Sequence, residues 1–178
     1  SYFFGESAST VENQESLQRE FGESFIPFVV DIRDYEGLEE IFKFSATNNN
    51  LEMIVHTAAQ PSHDWAANEP LTDFSVNAIG TVNLLELTRL HAPKASFIFT
   101  STNKVYGDRP NFSYYEGVPD LGYNGLWIKE ESSRYEGYWA ESGELAEVCE
   151  DMSIDKCKHS LFGASKVSAD IMVQEYGK

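Results

Sequence analysis

Three short apolar runs, each ending at polar residues and each followed by a helical pattern, constrain this chain more than any other feature. Phe25 to Val30 (FIPFVV) stops at Asp31, Met53 to Thr57 (MIVHT) leads into Ala58, and Ser96 to Ser101 (SFIFTS) leads into Thr102. Partly β-branched runs of this length suit strands buried on both faces. Between them, Leu38, Ile41, Phe42 and Ala46 recur at helical spacing from Tyr35 to Thr47, and Asn48, Asn49 and Asn50 break the pattern. Leu71, Phe74, Ala78, Val82 and Leu85 predict the apolar face of a long helix that Pro70 opens and Pro93 closes. A last helix is predicted from Ser160 to Tyr176, with Ala164, Val167, Ile171 and Val173 to Tyr176 on its apolar side. Strands alternating with helices imply a parallel sheet with right-handed crossovers, hence an α/β, doubly wound architecture.

The 178 residues suffice for one ordinary domain. A net charge of -16 argues against nucleic acid or an anionic membrane as partner, since both would be repelled, and any anionic ligand has to be held by local donors. No run reaches the roughly 20 apolar residues of a membrane span, and the first residues carry no signal-peptide pattern, so a cytoplasmic protein is expected. Cys149 and Cys157 lack the companion pair or His spacing of a zinc site; both are read as reduced thiols, and no metal is expected. From Gly107 to Lys158 the rhythm is lost: eleven carboxylates face two bases between Glu116 and Asp155. A solvated acidic insertion over about 108–158 is the expectation, with Trp127, Tyr135, Tyr138 and Trp139 as the residues of a binding lid in the alternative reading.

Ligands of open α/β sheets bind beyond the carboxyl ends of the strands. That rule selects Asp31-Ile32-Arg33, Ala58-Ala59-Gln60 and Thr100-Ser101-Thr102. Taken singly, a polar residue in such a place is more often a helix cap or turn former than a ligand contact.

Taken together, HTAAQ (His56 to Gln60), TSTNKVYG (Thr100 to Gly107) and FGASK (Phe162 to Lys166) resemble the extended short-chain dehydrogenases, the NAD-dependent epimerase and dehydratase family, over roughly residues 25 to 177. More narrowly, AAQPSHDW (Ala58 to Trp65), STNKVYGD (Ser101 to Asp108) and KHSLFGASK (Lys158 to Lys166) resemble the CDP-paratose 2-epimerase branch. The resemblance implies a Rossmann-like NAD-binding domain. Asp31 and Ile32 would then contact the adenine, while Ala58, Ala59 and Gln60, with Thr100 and Ser101, would border the cofactor. Asn77 would be the helix asparagine that supports the site. Thr102 would hydrogen-bond the reacting sugar hydroxyl, and Ser62, His63, Asn103 and Lys104 would lie toward the nucleotide-sugar substrate. Lys166 would hold the nicotinamide ribose and lower the pKa of a catalytic tyrosine.

That tyrosine is where the chain departs from the family. Its place, four residues before the lysine on the same helix face, is occupied by Phe162. Phenylalanine has no proton to exchange, and general acid-base catalysis contributes about 10²- to 10⁴-fold. Thr102, Lys104, Tyr106 and His159 are the nearby candidates to replace it. The G-x-G-x-x-G loop that would hold the pyrophosphate does not occur in the sequence. Residues 1–178 are therefore expected to form an incomplete NAD-binding domain without the substrate domain, binding NAD weakly alone. The implied reaction is epimerisation at C2 of a CDP-dideoxyhexose through a keto intermediate. The alternatives are another nucleotide-sugar 4-epimerase or dehydratase, or a non-catalytic NAD-binding protein. Members of the family often pair through helices, and Gly80 would let a second helix approach, so a homodimer is also an expectation.

Overall fold

In a computed structural model of the chain, residues 10–49, 51–108, 137–138, 145–146, 153–155 and 157–178 are described. Helix α1 (Val11–Phe21) buries no side chain. Phe25 to Val30 follows without becoming a strand: it joins no ladder among the described residues, and Val29 is 99% exposed. A strand needs a hydrogen-bonding neighbour for its N–H and C=O groups, and no described strand pairs with this run, which packs its side chains on the helix that follows instead, Phe28 against Phe44 and Val30 against the core. Helix α2 (Tyr35–Asn49) runs past Asn48, so the first two asparagines extend the helix rather than interrupt it.

Strands β1 (Met53–His56) and β2 (Ser96–Phe99) pair in parallel, Met53 opposite Ser96 and His56 opposite Phe99. This is the parallel pairing expected from the alternation. The expectation of strands buried on both faces is not met among the described residues, because side chains alternate across a sheet and the helices cover one face. Ile54 packs against Leu38 and Phe42 of α2 and against Leu87, forming a core with Val30 and Ile32. Met53, Val55 and Ile98, on the other face, are exposed.

The long helical rod consists of α4 (Pro70–Phe74), a π-helical turn (Ser75–Ile79) and α5 (Gly80–His91), with helical backbone angles at both junctions; the short α3 (His63–Asn68) precedes it. Pro70 opens the rod as expected, and its last residue is His91, ahead of Pro93. Its buried stripe corrects the predicted one in part, since Ala78 and Leu85 are buried as expected. Asp73, Asn77, Thr81 and Leu85 are buried at i, i+4 spacing, while Leu71 and Phe74 are exposed. The polar stripe wins because its members bond to one another and to the loop after β1. Gly80 accommodates no second helix: a Cβ there would lie 2.7 Å from Ile32 Cγ2 of the same chain.

After β2 come a 3₁₀ turn (Asn103–Tyr106), a minimal antiparallel pair β3 (Gly137–Tyr138) and β4 (Leu145–Ala146), and helix α6 (Leu161–Tyr176). Ser160 caps α6, its hydroxyl accepting from Gly163 N at 2.9 Å. The inward face of α6 is Phe162, Ser165, Lys166 and Ala169, whereas Ala164 and Ile171 of the predicted apolar side are exposed. Most of the acidic stretch, with Trp127, Tyr135, Trp139 and Cys149, lies outside the described residues. Among the described residues no helix is long and apolar enough to cross a membrane.

Candidate functional site

The carboxyl ends of β1 and β2 open side by side, and α6 passes beside them. An open depression of about 410 Å³ results, lined by Ala59, Pro61, His63, Thr100, Ser101, Thr102, Asn103, Lys104, Phe162 and Lys166. Nine of these ten are residues the sequence reading selected; Pro61 is the addition. Two further surface depressions of similar size occur among the described residues, one walled by α5 and α6 and one by the 3₁₀ turn and α6.

Lys166 is the buried charge of the site, 4% exposed. Its ammonium donates to Thr100 O at 2.9 Å and stands 4.3 Å from the centroid of the Phe99 ring. Burial holds its pKa below the usual lysine range, and Asp170 opposes that shift. Ser101 donates its hydroxyl to Asp170, one helical turn beyond Lys166. Thr102 caps the 3₁₀ turn: its Oγ1 accepts from Lys104 N at 3.3 Å. Phe162 forms part of the wall beside them and carries no proton donor.

Gln60 and Asn77 stand behind the wall rather than in it. Gln60 N donates to Asn77 Oδ1 (2.9 Å), and Asn77 Nδ2 donates to Gln60 O (3.1 Å). Asp73 Oδ1 accepts from Gln60 Nε2 (2.7 Å) and from Asn77 Nδ2 (3.1 Å), and Ser165 Oγ accepts from Asn77 Nδ2 at 3.1 Å. These four residues join the loop after β1, the π turn and α6. A π turn widens the helix by one residue and often marks a functional position; here it carries Asn77. The Ser62 hydroxyl is occupied as the cap of α3, accepting from Trp65 N at 3.1 Å.

Asp31 and Ile32 sit apart from the depression. Both Asp31 oxygens are gripped by the Arg33 guanidinium at 2.9 and 2.6 Å, which holds the carboxyl down at about 2. Ile32 O accepts from Asn83 Nδ2 at 3.1 Å. Ala58 is exposed at the mouth of the loop that Ala59 continues. Of the candidates to replace the missing phenol, Thr102 and Lys104 line the depression. Tyr106 lines the neighbouring one, and the His159 Nε2 is engaged by Ile154 O (3.0 Å) and the free thiol of Cys157 (3.5 Å).

His56, the first residue of HTAAQ, has no role in the motif and joins the network behind the wall. His56 is 3% exposed; its Nε2 meets Thr81 Oγ1 at 2.9 Å. Thr81 donates its own hydrogen to Asn77 O at 2.6 Å, so its oxygen accepts from His56 Nε2–H. This fixes the neutral tautomer and leaves Nδ1 buried without a partner. Desolvation, aided by the nearby Lys166 charge, pushes the His56 pKa down to about 4. Asp73 was missed as well, although its spacing from Asn77 and Thr81 was readable as a polar stripe.

Residues 3–120 match the family model described as GDP-mannose 4,6 dehydratase. CDP-paratose 2-epimerase of Salmonella typhi is 31% identical over 123 residues, 69% of this chain and 30% of that protein. UDP-glucose 4-epimerase of Yersinia pestis is 35% identical over 89 residues, 50% of this chain and 25% of that protein. The chain thus spans less than a third of the length of these relatives. Among solved structures, the UDP-Glc/GlcNAc 4-epimerase of Campylobacter jejuni superposes with a TM-score of 0.60 at 20% identity, covering 97% of this chain and 39% of that one. The Bifidobacterium longum UDP-glucose 4-epimerase, solved in complex with NAD+ and UDP, gives a TM-score of 0.59 at 17% identity, covering 91% and 36%. These likenesses show the Rossmann-type fold, and the family match shows the lineage: the chain belongs to the GDP-mannose 4,6 dehydratase family, among the NAD-dependent nucleotide-sugar epimerases and dehydratases.

Proposed function

We propose that this chain is part of the NAD-binding domain, with the acidic stretch of about 108–158 as an insertion, of a cytoplasmic enzyme that epimerises a nucleotide-linked sugar. The reading is carried by one juxtaposition: Thr102, Phe162 and Lys166 line one depression at the carboxyl ends of two parallel strands. The residues present suit the cofactor. Ala59 adds little bulk to the wall, and the Lys166 ammonium spends one N–H on Thr100 O, leaving donors for a ribose hydroxyl.

Bound NAD supplies a reversible hydride acceptor. In this reading Thr102 orients the hydroxyl to be oxidised and Lys166 holds the nicotinamide ribose. His63, Asn103 and Lys104 border the sugar, with Ser62 beside His63 as the cap of α3. Asp31 and Ile32 lie toward the adenine, Arg33 keeping the carboxylate ionised. Ala58, Ala59, Gln60, Thr100 and Ser101 border the cofactor, and Asn77 braces that border from behind. The resemblance to CDP-paratose 2-epimerase supports C2 of a CDP-dideoxyhexose as the reacting centre. Of the candidates Thr102, Lys104, Tyr106 and His159, Lys104 is the one whose titratable side chain lines the depression, and it is the group assigned to move the proton at the position that Phe162 leaves silent.

The absence of a phenol at Phe162 favours one other reading, an NAD-binding protein without turnover. Purification of the full-length protein, assay for co-purifying NAD, and incubation with CDP-paratose separate them. Conversion to CDP-tyvelose with bound NAD supports the epimerase. Bound NAD without conversion of this or related nucleotide sugars supports the binding protein, and no NAD defeats both.

A further inference from the structure

We propose that Phe99 is a positioning residue for Lys166, its ring face and the adjacent Thr100 carbonyl together seating the ammonium. Lys166 Nζ lies 4.3 Å from the Phe99 ring centroid and 2.9 Å from Thr100 O. The two contacts come from consecutive residues at the end of β2, so the strand that builds the site also aims its cation.

An ammonium has three donors and no acceptor. A carbonyl consumes one of them. The ring attracts the charge through its quadrupole, an interaction that strengthens when the cation is desolvated, and Lys166 is buried. The division leaves N–H groups for a ligand while restricting where the nitrogen can sit. The other charged and titratable groups around this seat are Asp170, whose carboxylate is shared with Ser101, and His56. The His56 ring leans on Phe99 with centroids 5.4 Å apart. Being neutral, it adds no second positive charge to the same ring. With phenylalanine at 162, no phenol oxygen is available to help hold the lysine, and the ring of Phe99 takes that part.

The ligand side of this inference rests on the reading of Lys166 as the ribose-holding residue; the seat itself does not. Phe99→Leu and Phe99→Trp in the full-length protein test it, with the Lys166 ammonium titrated by NMR of isotope-labelled lysine and NAD binding measured in parallel. Phe99→Leu is expected to raise the Lys166 acid dissociation constant and the NAD Kd by roughly threefold to thirtyfold. Phe99→Trp is expected to restore both, whatever it does to Tm, which a purely space-filling role would not do. A Lys166 titration unchanged by Phe99→Leu, or a tryptophan variant that behaves like leucine, overturns the proposal. If the parent protein binds no NAD, the cofactor reading fails and the titration alone still decides the seat.

Discussion

Gln60 and Asn77 exchange two hydrogen bonds across the loop after β1 and the π turn, Gln60 N to Asn77 Oδ1 at 2.9 Å and Asn77 Nδ2 to Gln60 O at 3.1 Å. Asn77 is 1% exposed and also donates to Asp73 and Ser165. Asn77→Asp keeps the shape, removes every donor, and sets a second carboxylate beside the buried Asp73. Leaving such groups unpaired and facing like charge costs about 3 kcal/mol or more. Urea unfolding is expected to show a loss of that size at neutral pH. A variant within about 0.5 kcal/mol of the parent would show that the exchange is not what joins the loop to the rod.

How much of this was legible beforehand differs from element to element. The parallel pairing of β1 with β2 was readable because each apolar run is short and is followed by a helical pattern. Phe25 to Val30 carries the same signal and is not a strand, since composition reports burial but cannot supply the neighbouring backbone a ladder requires. The positions of the rod and α6 were legible and their inward faces only in part: Ala78 and Leu85 are buried as expected, while other predicted positions point outward. An apolar tally favoured Leu71, Phe74, Ala164 and Ile171, but specific bonds from Asp73, Asn77, Ser165 and Lys166 orient both helices. Nine of the ten wall residues were legible because motif residues at strand ends converge once the strands are parallel. His56 and Phe99 look like ordinary strand residues in the sequence, and their roles show only once Thr81 meets His56 and Lys166 lies over the Phe99 ring.

His56 predicts an acid-sensitive fold. Its pKa is about 4 in the folded chain against a usual 6.5, so between those values the unfolded state binds more protons. Stability is then full above about pH 6.5 and declines as pH falls toward 4, with the folded state losing up to about 3 kcal/mol from this group. Unfolding measured at pH 7.5 and pH 5 is expected to differ by about 2 kcal/mol on account of His56. His56→Gln, which can still donate to Thr81, is expected to remove that part of the slope. An unchanged slope in the variant would place the acid sensitivity elsewhere.

Gly107 closes the turn after the site. Its φ of +56° and ψ of -133° belong to a region essentially reserved for glycine. A Cβ here would also lie 2.5 Å from Lys158 O and 2.8 Å from His159 Nδ1. Gly107→Ala therefore meets backbone strain and a backbone clash at once, and about 3 kcal/mol of destabilisation is expected. Because Asp108 N donates to Lys158 O at 3.1 Å, the same variant is expected to increase amide exchange at Asp108. Full stability with unchanged exchange would contradict this description of the turn.

Phe162→Tyr is the substitution that asks whether the site lacks only a proton donor. Phe162 is 9% exposed and lines the depression with Lys166 and Thr102, so the substitution adds a hydroxyl to a residue of the same wall. A phenol beside the Lys166 ammonium would have its pKa lowered, since a nearby positive charge favours the phenolate. If hydroxyl chemistry at Thr102 is otherwise supported, turnover of a nucleotide sugar by the full-length protein is expected to rise by about 10²- to 10⁴-fold, the usual contribution of a positioned acid-base group. The pH profile is expected to gain a limb for the new phenol that Phe162 cannot provide. Lys104→Met in the parent is the companion measurement: a large fall in kcat there, with little effect in Phe162→Tyr, identifies Lys104 as the group the tyrosine displaces. A tyrosine variant that binds NAD and nucleotide sugar as the parent does and remains without turnover would mean that the site is built for holding the cofactor, and that more than one proton separates it from catalysis.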